Sequence, residues 1–238
     1  MIDYFFGNYL MEFNNIDINY NYVKNRKLAA VIVATKPSFW LPLVIKNALS
    51  KIKECNLYFF GSSETIFFIK HNLKLDLNFI EINGIRNITN YNKILLDEKF
   101  WNTFSEEYVL IFQPDCILLR DVIESDFNYD YIGAVCGNFN NDSYIVNGGL
   151  SMRKRKVMVE ICQNLNHEEK NGTIPEDIIF TNKLRNNNLY KFPTWKDCMN
   201  FSIESIGNID TVLGVHGTDK YYIDPNIKFN FIETFLNK

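Results

Sequence analysis

A few positions in this chain combine a chemically able side chain with a place where the backbone must turn. Asp115 ends the run Tyr108-Val109-Leu110-Ile111-Phe112-Gln113-Pro114 and precedes a second apolar run, Cys116-Ile117-Leu118-Leu119. A carboxylate held between two apolar segments is costly to bury alone, so it calls for a metal, a hydroxyl pair or a cation. An aspartate that bonds nearby backbone amides in a turn explains the same pattern. Glu176 and Asp177 follow Pro175 and open a segment with apolar residues at helical spacing. The helix dipole favours acidic residues there by about 0.3–1 kcal/mol, and a carboxylate fixed at a helix start is also well placed to act as a general base. His216 lies between Gly214 and Gly217, where an imidazole can ligate a metal or face a phosphate. His71 and His167 sit in polar surroundings and carry no such signal. Asn147-Gly148-Gly149 reads locally as a tight turn.

These groups need elements to hold them. Lys27 to Ala34 is a continuous apolar run rich in β-branched residues, the pattern of a strand buried on both faces. Thr35-Lys36-Pro37-Ser38 breaks it, and apolar residues from Phe39 to Ile52 recur at helical spacing, with Ser38 able to cap the start. The unit repeats with a strand at Asn56 to Phe60, a helix at Glu64 to Asn72 and a strand at Leu77 to Ile82. Helical character over Asn90 to Phe104 then leads into the strand Tyr108 to Phe112. Alternation of this kind predicts an α/β fold with a mostly parallel sheet. Ligands of such sheets sit beyond the carboxyl ends of the strands, which puts Thr35 and Asp115 on one edge. Beyond Asp115 a strand at Tyr131 to Val135, the turn-bearing segment Ser143 to Met152, helices at Lys154 to Leu165 and Glu176 to Arg185, and short strands with loops are expected. The first 25 or so residues read as irregular. One domain over 1–238 is expected, with a regular half at about 27–115 and an irregular half at about 116–238.

Composition narrows the class. The chain has 238 residues, 47% of them hydrophobic, and a formal net charge of −3, the profile of a globular protein long enough to bury a core without disulfides or a structural metal. The pI of about 5.7 argues against a general nucleic-acid binder. No apolar run approaches the roughly 20 residues a membrane helix requires, and the first residues lack the basic and apolar regions of a signal peptide. An integral membrane segment is therefore not expected, and a cytoplasmic location is. Five cysteines without a C-x-x-C pair fit reduced thiols. The abundance of Asn, Ile, Lys, Tyr and Phe reflects codon bias, so the Asn-rich stretches and the four sequons at Asn87, Asn141, Asn171 and Asn200 are discounted. G-x-x-x-x-G-K-[ST], G-x-G-x-x-G after the first strand, H-E-x-x-H and G-x-S-x-G are all absent, which lowers P-loop, dinucleotide, zincin and acyl-hydrolase chemistry.

The order of the motifs adds what no single one carries. Tyr91-Asn92-Lys93-Ile94-Leu95, Gln113-Pro114-Asp115, Asn147-Gly148-Gly149-Leu150-Ser151, Pro175-Glu176-Asp177, Phe201-Ser202-Ile203-Glu204 and Gly214-Val215-His216 follow one another along the chain. This series resembles a little-characterised family of GT-A-like glycosyltransferases with Gln-x-Asp in place of Asp-x-Asp and an Asn-Gly-Gly-Leu-Ser motif; the resemblance spans about Leu28 to His216. It implies a GT-A-like domain with a Rossmann-like nucleotide-binding half, a mostly parallel central sheet and an irregular acceptor half. It further implies transfer of a sugar from a nucleotide-sugar donor to the hydroxyl of a glycan or other acceptor.

By that resemblance Thr35, Tyr91 and Asn92 contact the nucleoside, and Asp115 binds a divalent cation or the donor ribose, with Gln113 beside it. Asn147, Gly148 and Gly149 line the donor sugar and acceptor, their missing side chains leaving room. Asp177, with Glu176 next to it, matches the catalytic base of inverting members, and His216 completes a metal site with Asp115. A bound Mn²⁺ or Mg²⁺ stabilises the departing diphosphate, and Lys93, Arg153 and Lys220 are candidate phosphate partners. The neutral Gln113 removes one charged ligand and opens the possibility of a metal-free enzyme. A non-catalytic module that binds carbohydrate or a nucleotide sugar on the same fold is the alternative, and a nucleotidyltransferase a weaker one.

Overall fold

The computed structural model describes residues 4–136 and 144–217. Its centre is a six-stranded sheet in the order β3-β2-β1-β4-β7-β6, in which β1 is Leu28–Ala34, β2 Cys55–Gly61, β3 Asn78–Glu81, β4 Tyr108–Phe112, β6 Tyr131–Cys136 and β7 Ile145–Lys154. The first four neighbours run parallel, whereas β7 is antiparallel to both β4 and β6. β1 and β4 are buried along their whole length, as their unbroken apolar runs require. A second, three-stranded sheet joins β5 (Ile117–Leu118), β9 (Gly214–Val215) and β8 (Ser202–Ile203) in that order.

The crossovers that parallel pairing demands are the helices α2 (Trp40–Lys51) and α3 (Ser63–Leu73), followed after β3 by α4 (Ile88–Leu95) and α5 (Glu98–Asn102). The Asn90–Phe104 stretch is thus two helices, since the Asp97 carboxylate accepts from Lys99 N–H and starts a new one. Ser62 and Asn87 cap α3 and α4 through their side chains. Ser38 stands just outside α2, its hydroxyl 3.4 Å from Trp40 N–H, while the cap position itself is Phe39. The second half adds α6 (Arg155–Gln163), α7 (His167–Lys170), α8 (Glu176–Arg185) and α9 (Trp195–Phe201).

Besides the four-residue α7, two helices depart from the expectation drawn from sequence. The opening is not irregular throughout: α1 (Tyr4–Met11) buries Phe6, Tyr9 and Leu10. Its Gly7 lies where a Cβ would overlap the Trp40 indole, so the absent side chain lets α1 settle on α2. The other is α9, a seven-residue helix started by a reciprocal Thr194 and Asp197 capping box and packed on β6; it is too short for apolar periodicity to show.

The small sheet is tied to the large one by a buried amide. Asn47 on α2 donates to Leu118 O at 2.9 Å and accepts from Leu118 N–H at 2.8 Å, which satisfies both backbone groups of a two-residue strand with no solvent contact. Among the described residues no helix is long and apolar enough to cross a membrane. Replacing Asn47 by Leu takes the side-chain partner from Leu118 N–H and leaves Leu118 O with only the 3.4 Å bond from the Tyr9 hydroxyl in a dry site, at a cost of about 1–3 kcal/mol. A urea unfolding midpoint within error of wild type would remove the anchoring role.

Candidate functional site

The carboxyl ends of β1 and β4 open on one edge of the sheet, and the start of antiparallel β7 arrives at the same place. Gln113 and Pro114 leave β4 in a turn closed by Cys116 N–H on Gln113 O at 3.0 Å, with proline at the second turn position that suits its fixed φ. Asp115 follows on the exposed side of that turn. Gln113 N–H also bonds Gly149 O at 2.8 Å, which fastens the turn to β7.

Asn147-Gly148-Gly149 is not a hairpin turn. It lies inside β7, in a bulge opposite Ala134, where the β6 register jumps from Gly133↔Ser151 to Val135↔Val146. The Asn147 side chain accepts from Gly149 N–H at 2.8 Å and holds the bulge. Its two glycines make room for this protein's own side chains: a Cβ on Gly148 would overlap Glu176 and Arg153, and one on Gly149 would overlap the His216 imidazole.

Beneath the bulge is a buried ion pair. Arg153, without solvent exposure, meets Glu176 through two bonds, Nη1 to Oε2 at 2.7 Å and Nη2 to Oε1 at 3.0 Å. Its Nε donates to Ser151 Oγ at 3.0 Å, and the rings of Tyr131, Phe180 and Trp101 lie 4.6, 5.4 and 5.6 Å from the guanidinium carbon. Burial works against the charge, but the Glu176 carboxylate outweighs it and holds the guanidinium above its ordinary pKa. Glu176 is thereby committed to Arg153, and Arg153 is out of reach of a surface phosphate; both differ from the roles expected from sequence.

Asp177, the next residue, is partly exposed and bonded at 2.8 Å by Ile178 N–H. Burial, then the neighbouring Glu176 charge, push its carboxyl up to about 6, with Glu204 acting in the same direction. The Ile178 N–H bond and the Arg153 charge pull the other way without overcoming burial. His216 follows β9, its N–H on Ile203 O at 2.7 Å. Its Nε2 is 3.0 Å from Gln113 Oε1 and 3.6 Å from Asp115 Oδ1, and its Nδ1 is 3.8 Å from Glu204 Oε1.

Beside this centre, Val33, Thr35, Lys36, Arg86, Tyr91 and Gln113 line an open cleft of about 290 Å³. Thr35 and Tyr91 both line it. Burial, with the Glu176 charge second, raises the Tyr91 hydroxyl pKa. Asn92 is instead buried and donates to Gly172 O at 3.1 Å, holding the segment before α8. Lys93 is exposed, with its stem against Gly172. Lys220 lies outside the described residues. Sequence reasoning passed over Lys36, Arg86 and Glu204; Lys36, directly after the β1 end, was the one with a positional signal. Larger depressions lie elsewhere: one of about 370 Å³ between Pro37, Phe39 and Phe68 is mostly apolar, and one of about 360 Å³ lined by Lys27, Lys51, Lys53, Glu54, Asp121 and Glu124 opens away from Gln113, Asp115 and His216.

A family model described as a protein of unknown function (DUF5672) matches residues 74–216, more than half of the chain. The chain belongs to that family. The matched segment takes in Tyr91, Gln113, Asp115, the bulge, Asp177, Glu204 and His216, and leaves out β1 and β2. No curated protein matches. Among solved structures the chain is similar to the mannosyltransferase PcManGT from Pyrobaculum calidifontis, solved in complex with GDP-Man and Mn²⁺, with a TM-score of 0.55 and 14% identity over 92% of this chain and 67% of that one. At that identity the likeness is one of fold, and the fold is the mixed α/β, GT-A-like one.

Because Gly149 touches the imidazole, Gly149→Ala should displace His216 and cost about 1–3 kcal/mol through overpacking. The expected readouts are a lower unfolding midpoint and shifted His216 ring signals in a histidine ¹H–¹⁵N spectrum; unmoved ring signals would mean that the backbone absorbs the strain.

Proposed function

We propose that the chain is a glycosyltransferase that moves a sugar from a nucleotide-sugar donor to an acceptor hydroxyl with inversion, using Asp177 as the base. The observation that carries this reading is a carboxylate fixed at a helix start, its pKa pushed up to about 6 by burial and by the Glu176 and Glu204 charges, with Glu204 itself 3.8 Å from the His216 ring that faces Asp115. A general base works best when its pKa lies close to the working pH. The similar fold of a mannosyltransferase solved with GDP-Man and Mn²⁺ supports the same reaction class.

In this reading the nucleoside occupies the cleft at Thr35 and Tyr91, with Lys36 and Arg86 at its lip. The donor set suits a divalent cation: one carboxylate oxygen and one imidazole nitrogen face each other at 3.6 Å, ligands that together with substrate phosphates hold Mg²⁺ or Mn²⁺. Among the described residues no three His, Cys, Asp or Glu groups could hold a metal by themselves, so diphosphate oxygens must complete the shell. Asp115 and His216 would hold the ion, which supplies charge stabilisation for the departing nucleoside diphosphate. The Asp177 carboxylate takes the proton of the acceptor hydroxyl as its oxygen bonds the anomeric carbon. The bond from that carbon to the phosphate oxygen breaks, and nucleoside diphosphate leaves with the electron pair. Glu176 serves as a positioning residue, held by Arg153 so that Asp177 faces the site.

A thermal-shift panel of nucleoside diphosphates with and without Mn²⁺ tests the site. One class of nucleotide at about 100 times its dissociation constant should add about 2.7 kcal/mol, and Asp115→Ala should abolish the shift. No shift at millimolar concentration would overturn the nucleotide site, and a shift without donor turnover would favour a binding module instead.

Asp177→Asn separates the base from its cost to the fold. A carboxylate whose pKa is raised on folding stabilises the protein least above the folded value, so wild type carries its penalty above pH 6 and loses it as pH falls towards 4. After allowance for solvent screening, the asparagine variant should be about 1–2 kcal/mol more stable at pH 7.5, with the gap closing at pH 4. It should keep nucleotide binding and lose at least about 100-fold in transfer, while wild-type activity falls with acid through pH 6. Transfer near wild type in this variant would exclude Asp177 as the base.

A further inference from the structure

Glu204 has a place in the register that no motif assigned. β8 and β9 are parallel neighbours, paired Ser202↔Gly214 and Ile203↔Val215. The next step of that register sets Glu204 beside His216, and the 2.7 Å bond from His216 N–H to Ile203 O continues the ladder. Adjacent residues of neighbouring strands share a face, which explains why Glu204 Oε1 stands 3.8 Å from His216 Nδ1. Glu204 is 4% exposed and His216 3%.

We propose that Glu204 is a positioning residue that fixes the His216 ring with its proton on Nδ1, so that the Nε2 lone pair is presented to a cation held against Asp115. The inference rests on the cation site of the preceding reading. A neutral imidazole carries one N–H, and a lone pair turned towards a carboxylate is repelled, so a buried Glu204 draws the proton to Nδ1. Asp115 exerts the opposite pull on Nε2 from 3.6 Å, but its side chain is 25% exposed against 5% for Glu204, and solvent weakens the pull of the more exposed group. The Gln113 amide, whose two ends have nearly the same shape, then rests with its N–H on Nε2 at 3.0 Å and yields that lone pair when a cation enters. Carboxylates behind ligating imidazoles have this effect widely, and their loss costs about 10–100-fold in metal affinity. Gly149 fixes the other face of the ring, so tilt and tautomer are controlled from two sides.

The test reads the tautomer directly in metal-free protein. The chain has three histidines, and a long-range ¹H–¹⁵N spectrum resolves both nitrogens of each, with His216→Asn identifying the relevant set. Wild type is expected to show the Nδ1–H form. Glu204→Gln should move His216 towards the Nε2–H form and weaken Mn²⁺ binding, measured by electron paramagnetic resonance in the presence of GDP and then UDP, by about tenfold or more. Glu204→Asp should restore most of both. An Nε2–H ring in wild type, or an unchanged tautomer in Glu204→Gln, overturns the proposal; a shifted tautomer with unchanged Mn²⁺ affinity overturns its link to the cation. If wild type binds no Mn²⁺ with either nucleotide, the cation site itself falls, while the metal-free tautomer still judges Glu204. Should Glu204→Gln not fold, the wild-type tautomer and the Glu204→Asp spectrum decide.

Discussion

The Arg153 and Glu176 pair is the constraint on which the site depends. Taking a guanidinium and a carboxylate out of water costs several kcal/mol for each, and only excellent geometry offsets it. Here the geometry comes from a bidentate contact at 2.7 and 3.0 Å, a third bond to Ser151 and three aromatic rings around the cation. The pair locks the first residue of α8 to the interior of β7. That lock excludes any side chain at residue 148 and fixes the direction in which Asp177 leaves the helix.

Charge is divided across the edge. Lys36 and Arg86 stand at the cleft, whereas Asp115 and Glu204 flank His216. A diphosphate bridging these two zones meets cations at one end and carboxylates at the other, so the acidic end favours a metal ion as intermediary. Burial first, and then the Glu176 and Glu204 charges, keep Asp177 basic by opposing its ionisation.

Local signals were legible where one element buries its own pattern. Tyr108–Phe112 and Glu176–Arg185 match their expected spans, and β1 and α2 do so to within one residue at each end. The misreadings share a cause in distant partners. Asn147-Gly148-Gly149 has the composition of a hairpin turn, yet its bulge is set by the β6 register, and its glycines answer to Glu176 and His216, which lie 28 and 67 positions further on, and to Arg153 within β7 itself. Asn92 and Arg153 carry polar groups that suit a ligand, and the fold spends them on Gly172 and Glu176. Glu204 was visible only as part of a motif, since its meaning lies in a two-residue pairing across the small sheet.

The antiparallel course of β7 governs how such a chain can be assembled and diversified. β4 has β1 on one side and β7 on the other, so residues up to Asp115 form a sheet whose apolar edge strand is open until residue 154 has been made. An open, fully apolar edge invites pairing with other chains, and during synthesis it must be shielded or quickly covered. The two halves are therefore not interchangeable modules: exchanging the second half wholesale would remove the strand that closes the first. New specificities would have to arise by changing loops around a retained β7 rather than by recombination at Asp115.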